Sequence, residues 1–62
     1  MKLRYTVEGK FAATFTASKK VETEERANRH IFSLMMLNQK EGYVKYSGFI
    51  LYDDNNKIIK RF

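Results

Sequence analysis

The first 17 residues contain two segments in which apolar and polar residues alternate. In KLRYTVE (2–8) every second residue is apolar, namely Leu3, Tyr5 and Val7, and KFAATFTA (10–17) repeats the pattern beyond Gly9. Strict alternation is typical of strands that bury one face. Because a glycine separates the two segments, we expect them to pair as a β-hairpin.

The loop of this hairpin follows from the requirement that the apolar residues of both strands share a face. A two-residue turn at Glu8 and Gly9 would place the polar Thr6 opposite Phe11. A one-residue change of register turns every side chain to the other face, so the alternative loop of residues 8–10 is expected. It pairs Val7 with Phe11, Tyr5 with Ala13 and Leu3 with Phe15.

A segment with helical periodicity follows the first hairpin. Residues 18–25 form the link into this helix and contain Thr23, the expected N-cap. Two glutamates then lie in the first turn, where the helix dipole favours negative charge. Helical character continues to about Lys40, and Gly42 lies where a glycine commonly ends a helix.

The C-terminal third of the chain predicts a second hairpin. YVKYSGFILY (43–52) is rich in β-branched and aromatic residues and has a bulge signal at Gly48. DDNN (53–56) is a turn signal, and KIIKRF (57–62) is the expected fourth strand. The order ββαββ predicts an α+β fold in which one helix packs on a four-stranded antiparallel sheet formed by the two hairpins. Residues 1–62 are expected to form a single compact domain.

The predicted helix is apolar around most of its circumference. The stripe expected to face the sheet consists of Ala27, Ile31, Leu34 and Met35, extended by Leu37. Phe32 and Met36 lie almost opposite, so the apolar arc spans about 260°, whereas a helix on a sheet needs little more than ~100°. One four-stranded sheet therefore covers the stripe but leaves Phe32 and Met36 uncovered.

Three different surfaces can cover Phe32 and Met36. Loops or the Tyr43 side chain can fold over them. A second copy of the chain is the occupant we expect, because two-fold dimers are the commonest oligomers. Another protein is the third alternative, since methionine is common at adaptable binding surfaces.

Composition limits the ways in which so short a chain gains stability. A domain of about 60 residues buries only about 60% of the surface of its unfolded chain. The chain has no cysteine and one histidine, so disulfides are excluded and no metal site is expected. A second subunit is the remaining means of adding buried area.

The charge of the chain indicates the chemistry of a partner. Twelve Lys and Arg against seven Asp and Glu give a formal net charge of +5. Such an excess favours a polyanionic partner such as nucleic acid. The alternative is a basic protein whose charge only keeps it in solution.

The second hairpin determines which residues such a partner would meet. Across the turn at 53–56, the expected pairs are Tyr52 with Lys57, Leu51 with Ile58, Ile50 with Ile59, Phe49 with Lys60 and Gly48 with Arg61. One of its two faces must be buried, and the pattern favours neither strongly. We take the core side to contain Phe49, Leu51, Ile58 and Phe62.

The open face of the sheet is then expected to show two tyrosines among three cations. These candidate nucleic-acid-binding residues are Arg4, Tyr46, Tyr52, Lys57 and Arg61. Aromatic rings that stack on bases, beside cations that bind phosphates, are typical of sheet surfaces that bind single strands. Val44, Ile50 and Ile59 make the same face apolar enough for a protein interface, which is the alternative.

Catalytic chemistry is not expected. The three serines have only His30 as an imidazole base, with no third group to orient it, so no catalytic residue is assigned. No cofactor motif and no small-molecule substrate is evident. No apolar run approaches ~20 residues and residues 1–16 lack the apolar core of a signal peptide, so the predicted location is cytoplasmic, with no membrane partner.

The sequence therefore predicts a small non-catalytic binding module. It is expected to be a homodimer joined through Phe32 and Met36, and to bind single-stranded RNA or DNA through the basic and aromatic sheet face. The alternative is a protein-directed inhibitor or adaptor of the type encoded by phages and mobile elements. That function would use the apolar helix or the sheet face to hold a host or partner protein.

Overall fold

The computed structural model describes residues 1–9, 11 and 13–62, so Lys10 and Ala12 of the predicted first hairpin lie outside the described residues. The elements are β1 (Lys2–Glu8), β2 (Thr14–Lys20), α1 (Glu24–Glu41), β3 (Tyr46–Tyr52) and β4 (Ile58–Arg61). The strands form one antiparallel sheet in the order β2-β1-β3-β4. The predicted α+β fold of order ββαββ is confirmed.

Both predicted ends of the helix are confirmed by their hydrogen bonds. Thr23 is extended, with φ −141°, and its hydroxyl oxygen accepts a bond from the backbone N–H of Arg26 at 3.1 Å. Gly42 has φ 81°, and its N–H donates to the carbonyl oxygen of Asn38 at 3.0 Å. A left-handed residue at this position favours glycine, which carries no Cβ.

A small core lies between the helix and the two central strands. Its buried members are Leu3, Val21, Ala27, Ile31, Leu34, Phe49 and Leu51. Burying a side chain of this size contributes about 1.5–3 kcal/mol. The predicted core positions of Phe49 and Leu51 are confirmed. Those of Ile58 and Phe62 are wrong, since their side chains are 45% and 44% exposed.

The buried stripe of the helix is narrower than predicted and ends on a polar residue. Met35 was expected in the stripe but is 55% exposed. Asn38 continues the stripe instead, one turn beyond Leu34. Its side-chain oxygen accepts bonds from the N–H groups of Lys45 and Tyr46 at 2.8 Å each, and its amide donates to the carbonyl oxygen of Tyr46 at 2.8 Å. These bonds fix the helix to the start of β3, which begins at Tyr46 and not at residue 43.

The register of the first hairpin differs from the predicted one by four residues. Val7 pairs with Phe15, Tyr5 with Ala17 and Leu3 with Lys19. The N–H of Gly9 bonds to the carbonyl oxygen of Ala13, which closes a longer loop. Alternation determines which face a residue shares but not its partner, so a shift by an even number keeps every face. As a result β2 extends to Lys20, through part of the predicted link.

The second hairpin also has a longer turn than predicted. The carboxylate of Asp53 accepts bonds from the N–H groups of Asn55 and Lys57, at 2.8 and 2.9 Å. These bonds hold Lys57 in the turn, so Tyr52 pairs with Ile58 and not with Lys57. A bulge follows, after which Leu51 pairs with Lys60 and Ile50 with Arg61. Ile58 therefore joins Tyr52 on the open face, outside the core.

The predicted bulge at Gly48 is confirmed, and it changes the face of the residues before it. Gly48 has φ 64°, and the pairing of β1 with β3 shifts by one residue between Arg4 and Thr6. Phe49 and Leu51 face the core, and the extra residue brings Tyr46 to the same side. The ring of Tyr46 lies edge-on to that of Tyr5, with centroids 6.1 Å apart.

Candidate nucleic-acid interface

The open face of the sheet carries its cations in two neighbouring cross-strand rows. Residues that are directly opposite in antiparallel strands share a face. The first row runs from β2 to β4 through Ser18, Arg4, Ile50 and Arg61, and the second through Lys20, Lys2, Tyr52 and Ile58. We name these eight residues the basic sheet face. Four of them are cations, and none is acidic.

Two of these cations form a like-charge pair. Lys2 lies directly opposite Lys20, and both side chains are exposed. Like charges at opposed positions destabilise a sheet. A bound anion would remove this repulsion, so the pair favours a polyanionic ligand at this end of the sheet.

The aromatic residue of the basic sheet face is already packed against a cation. The guanidinium carbon of Arg4 lies 4.9 Å from the centroid of the Tyr52 ring. A guanidinium at this distance from an aromatic ring makes a cation–π contact. It also presents a flat, charged edge beside a ring, which is the combination that unstacked bases and their phosphates recognise.

A carboxylate lies near one end of the basic sheet face. Asp54, in the turn between β3 and β4, accepts a bond at 3.0 Å from the terminal ammonium of Met1. That hydrogen bond, the charge of the ammonium and the nearby Lys20 lower the pKa of Asp54 below its ordinary value. The carboxylate therefore stays charged and offsets part of the local positive charge.

The structure brings together three of the five predicted nucleic-acid-binding residues. Arg4, Tyr52 and Arg61 lie on the basic sheet face. The predicted position of Tyr46 is wrong, because the bulge at Gly48 turns it toward the helix, where it packs on Tyr5. The predicted position of Lys57 is also wrong, because it lies in the turn opposite Asp53.

Two cations of the basic sheet face were not predicted as site residues. Lys2 was noted only for its charge, and Lys20 was assigned to the link before the helix. Predicting Lys20 would have required the observed register of the first hairpin, which is shifted by an even number of residues and extends β2 past Ala17. Alternation alone is equally compatible with both registers.

The helix carries a second exposed surface, an apolar groove. Phe32 and Met36 are 66% and 51% exposed, as predicted. They line a groove of about 640 Å³ together with Met35, Asn38, Gln39, Gly42, Tyr43 and Val44. None of these lining residues is charged. Tyr43 is itself 49% exposed, so the alternative in which its side chain covers Phe32 and Met36 does not hold.

Among residues 1–9, 11 and 13–62, no three His, Asp or Glu side chains are grouped so that they could hold a metal ion. Within the same residues, no helix has both the length and the apolar character needed to cross a membrane. Comparison with known proteins found no matching family model, no similar curated protein and no similar solved structure.

Proposed function

We propose that this protein binds single-stranded nucleic acid through the basic sheet face. The observation that carries the proposal is the pair of adjacent rows that place Lys2, Arg4, Lys20 and Arg61 on the same face as the ring of Tyr52. Cations along such a surface bind successive phosphates. The ring of Tyr52 would stack on one base between them.

The shape of the surface favours a single strand over a duplex. The rows lie on an open antiparallel sheet, and the helix packs on its other side. Reading a duplex requires an element that enters a groove, whereas an open sheet with an aromatic ring accepts splayed bases. One stacking ring gives little sequence preference, because every base has a π-face.

We also propose that a second copy of the chain covers the apolar groove. The groove exposes five apolar side chains, Phe32, Met35, Met36, Tyr43 and Val44, which a second copy would remove from water. Two copies that each carry a net charge of +5 repel one another. Because no residue that lines the groove is charged, contact between two grooves brings no like charges together.

The dimer and the basic sheet face are compatible, because the groove and the rows lie on opposite sides of the molecule. A dimer would present two such faces to one strand, which raises avidity without a new contact. A cytoplasmic location remains part of the proposal, since nucleic acid is present in that compartment. An inhibitor or adaptor function on a host or partner protein is the alternative, and the exposed groove is the feature that favours it.

Binding of labelled oligonucleotides tests the proposal. Fluorescence anisotropy is measured with a single-stranded RNA, the matching single-stranded DNA and a duplex, between about 50 and 200 mM salt. We expect binding to both single strands to be stronger than to the duplex and to weaken steeply with salt. Absence of binding at the lowest salt, with the fold intact, would contradict the proposal and favour the inhibitor or adaptor function.

A further inference from the structure

A second concentration of positive charge lies on the opposite side of β2 from the basic sheet face. The helix does not extend over β2, and a cleft of about 350 Å³ remains between them. We name it the β2–α1 cleft; it is lined by Lys19, Lys20, Val21, Glu22, Arg26, Arg29, His30 and Ser33. Four of these residues are always cationic near neutral pH, and one is acidic.

Most of the cations in the cleft have no carboxylate partner within the described residues. Lys19, Lys20 and Arg26 make no ion pair there. Arg29 contacts the carboxylate of Glu25 at 3.4 Å on the exposed helix surface, a long and weak pair. Lys19 lies on the side of β2 that faces the helix because it pairs with the buried Leu3. The Lys19 side chain therefore lines the wall of the cleft opposite the one formed by Arg26 and Arg29.

One wall of the cleft is formed by His30. Its ring packs against that of Tyr5, with centroids 6.0 Å apart, and its Nε2 atom is buried without a hydrogen-bond partner among the described residues. Burial and the charge of Lys19 lower its pKa below the ordinary value. The lowered pKa favours the uncharged imidazole, so the two lysines and two arginines supply the positive charge of the cleft.

We propose that the β2–α1 cleft binds a phosphate group between Lys19 and Arg26. Lysine and arginine on facing walls provide charge-assisted hydrogen bonds to the oxygens of a tetrahedral anion. Glu22, which also lines the cleft, offsets one of its four positive charges. The cleft shares Lys20 with the basic sheet face, but Lys19 and Arg26 lie outside that face, so the site does not require that face to bind nucleic acid.

His30 supplies the measurement, because it is the only histidine in the chain and its imidazole signals need no assignment. A bound anion stabilises the protonated imidazole and so raises its pKa. The ring of Tyr5 on β1 packs against His30. The charged residues that line the cleft with it are Lys19 and Lys20 of β2, Glu22 before the helix, and Arg26 and Arg29 of α1.

The experiment is a proton NMR titration of His30 in sodium phosphate and in sodium chloride of equal ionic strength. We expect its pKa to be higher in phosphate by about 0.5 or more. Arg26→Gln should abolish most of this difference, while Lys40→Gln, which removes the same charge at the far end of the helix, should preserve it. The backbone spectrum of each variant shows whether it is folded.

Two results would overturn the proposal. One is an equal pKa in phosphate and chloride for the wild-type protein. The other is an equal rise in the Arg26→Gln and Lys40→Gln variants, which would mean that phosphate acts by general screening. The double variant Arg4→Gln/Tyr52→Leu separates this site from the proposed function, because it should lose oligonucleotide binding and keep the effect of phosphate on His30.

A third arm distinguishes free phosphate from the phosphates of nucleic acid as the natural ligand. A single-stranded oligonucleotide is added to the protein in chloride, and the pKa of His30 is measured again. A rise in wild type that Arg26→Gln abolishes assigns the cleft to the nucleic-acid backbone. A rise with inorganic phosphate alone assigns it to free phosphate, and both outcomes support a phosphate site.

Discussion

The guanidinium of Arg4 on β1 packs against the ring of Tyr52 on β3, with its carbon 4.9 Å from the ring centroid. The two residues are diagonal neighbours on the basic sheet face, since Lys2 is the direct partner of Tyr52. The contact holds a cation and an aromatic ring in fixed positions before any ligand arrives. Ordering these side chains in advance lowers the entropic cost of binding.

Asn38 is expected to be the most important polar residue for stability. Asn38→Ala removes three hydrogen bonds to the backbone of Lys45 and Tyr46, and leaves partly buried groups without partners. We expect the free energy of unfolding to fall by about 2–3 kcal/mol. This is a large share of the ~3–9 kcal/mol expected for a domain of this length.

Urea denaturation of Asn38→Ala and of a control measures this effect. Asn28→Ala removes an exposed asparagine of the same helix that lines neither the apolar groove nor the β2–α1 cleft, and is expected to cost less than about 0.5 kcal/mol. Equal stability of the two variants would show that the hydrogen bonds of Asn38 do not fix the helix to β3.

The cost of replacing Gly48 is expected to come from its backbone conformation more than from a lack of space for a Cβ atom. Its φ of 64° is unfavourable for a residue with a Cβ, and an added Cβ would meet the Thr6 hydroxyl oxygen at 3.4 Å, an ordinary contact. Gly48→Ala should therefore destabilise the protein by about 1–2 kcal/mol. Gly48→Asn should cost less, because asparagine tolerates the left-handed region. Thermal unfolding that ranks Ala at or above Asn would contradict this account.

The apolar groove predicts a dimer at micromolar concentration in sedimentation equilibrium. The double variant Phe32→Glu/Met36→Glu places two charges where the partner's apolar surface would pack, so it should be a monomer. Phe11→Glu, at a fully exposed position outside the groove, is the control and should remain a dimer. A monomeric wild type would remove the dimer from the proposed function and leave the groove to another protein.

The pKa of His30 makes stability depend on pH. Because burial and Lys19 lower its pKa in the folded state, the unfolded chain binds the proton more readily. The free energy of unfolding should therefore rise with pH between the folded-state pKa of His30 and its unfolded-state pKa of about 6.5. Above that pH, His30 should cause no further change in stability. Lys19→Gln should raise the pKa of His30 and narrow this window. Histidine NMR combined with urea denaturation at several pH values measures both quantities, and a His30 pKa at or above 6.5 in chloride would contradict the account.

Sequence patterns determined the elements of this fold better than their registers. Strict alternation in residues 2–8 gave the bounds of β1, and Thr23 and Gly42 marked the ends of the helix because a hydroxyl and a left-handed glycine satisfy specific backbone groups. The partner of each strand residue depends on the turns. The hydrogen bond from the Lys57 N–H to the Asp53 carboxylate makes the second turn one residue longer than composition indicated.

These errors in register also change which residues lie on the open face of the sheet. Tyr46 does not lie on this face, because one extra residue at Gly48 reverses the alternation before it. Lys20 does lie on it, because β2 is longer than its apolar pattern. Arg4 and Tyr52 lie on the open face as predicted, since neither lies beyond a bulge or a turn from the central pairing of β1 with β3.

The most direct test of the proposed function compares three residues at position 52 in single-strand binding. Tyr52→Phe keeps the ring and should bind labelled single-stranded RNA within about twofold of wild type, whereas Tyr52→Leu keeps an apolar side chain but should weaken binding by about 1–3 kcal/mol. The salt dependence of both should match wild type. Arg4→Gln should flatten the slope of log affinity against log salt by about 1, while Lys40→Gln on the helix should leave it nearly unchanged. Equal affinities of the Phe and Leu variants, or equal slopes of the Arg4 and Lys40 variants, would contradict the assignment of nucleic-acid binding to the basic sheet face.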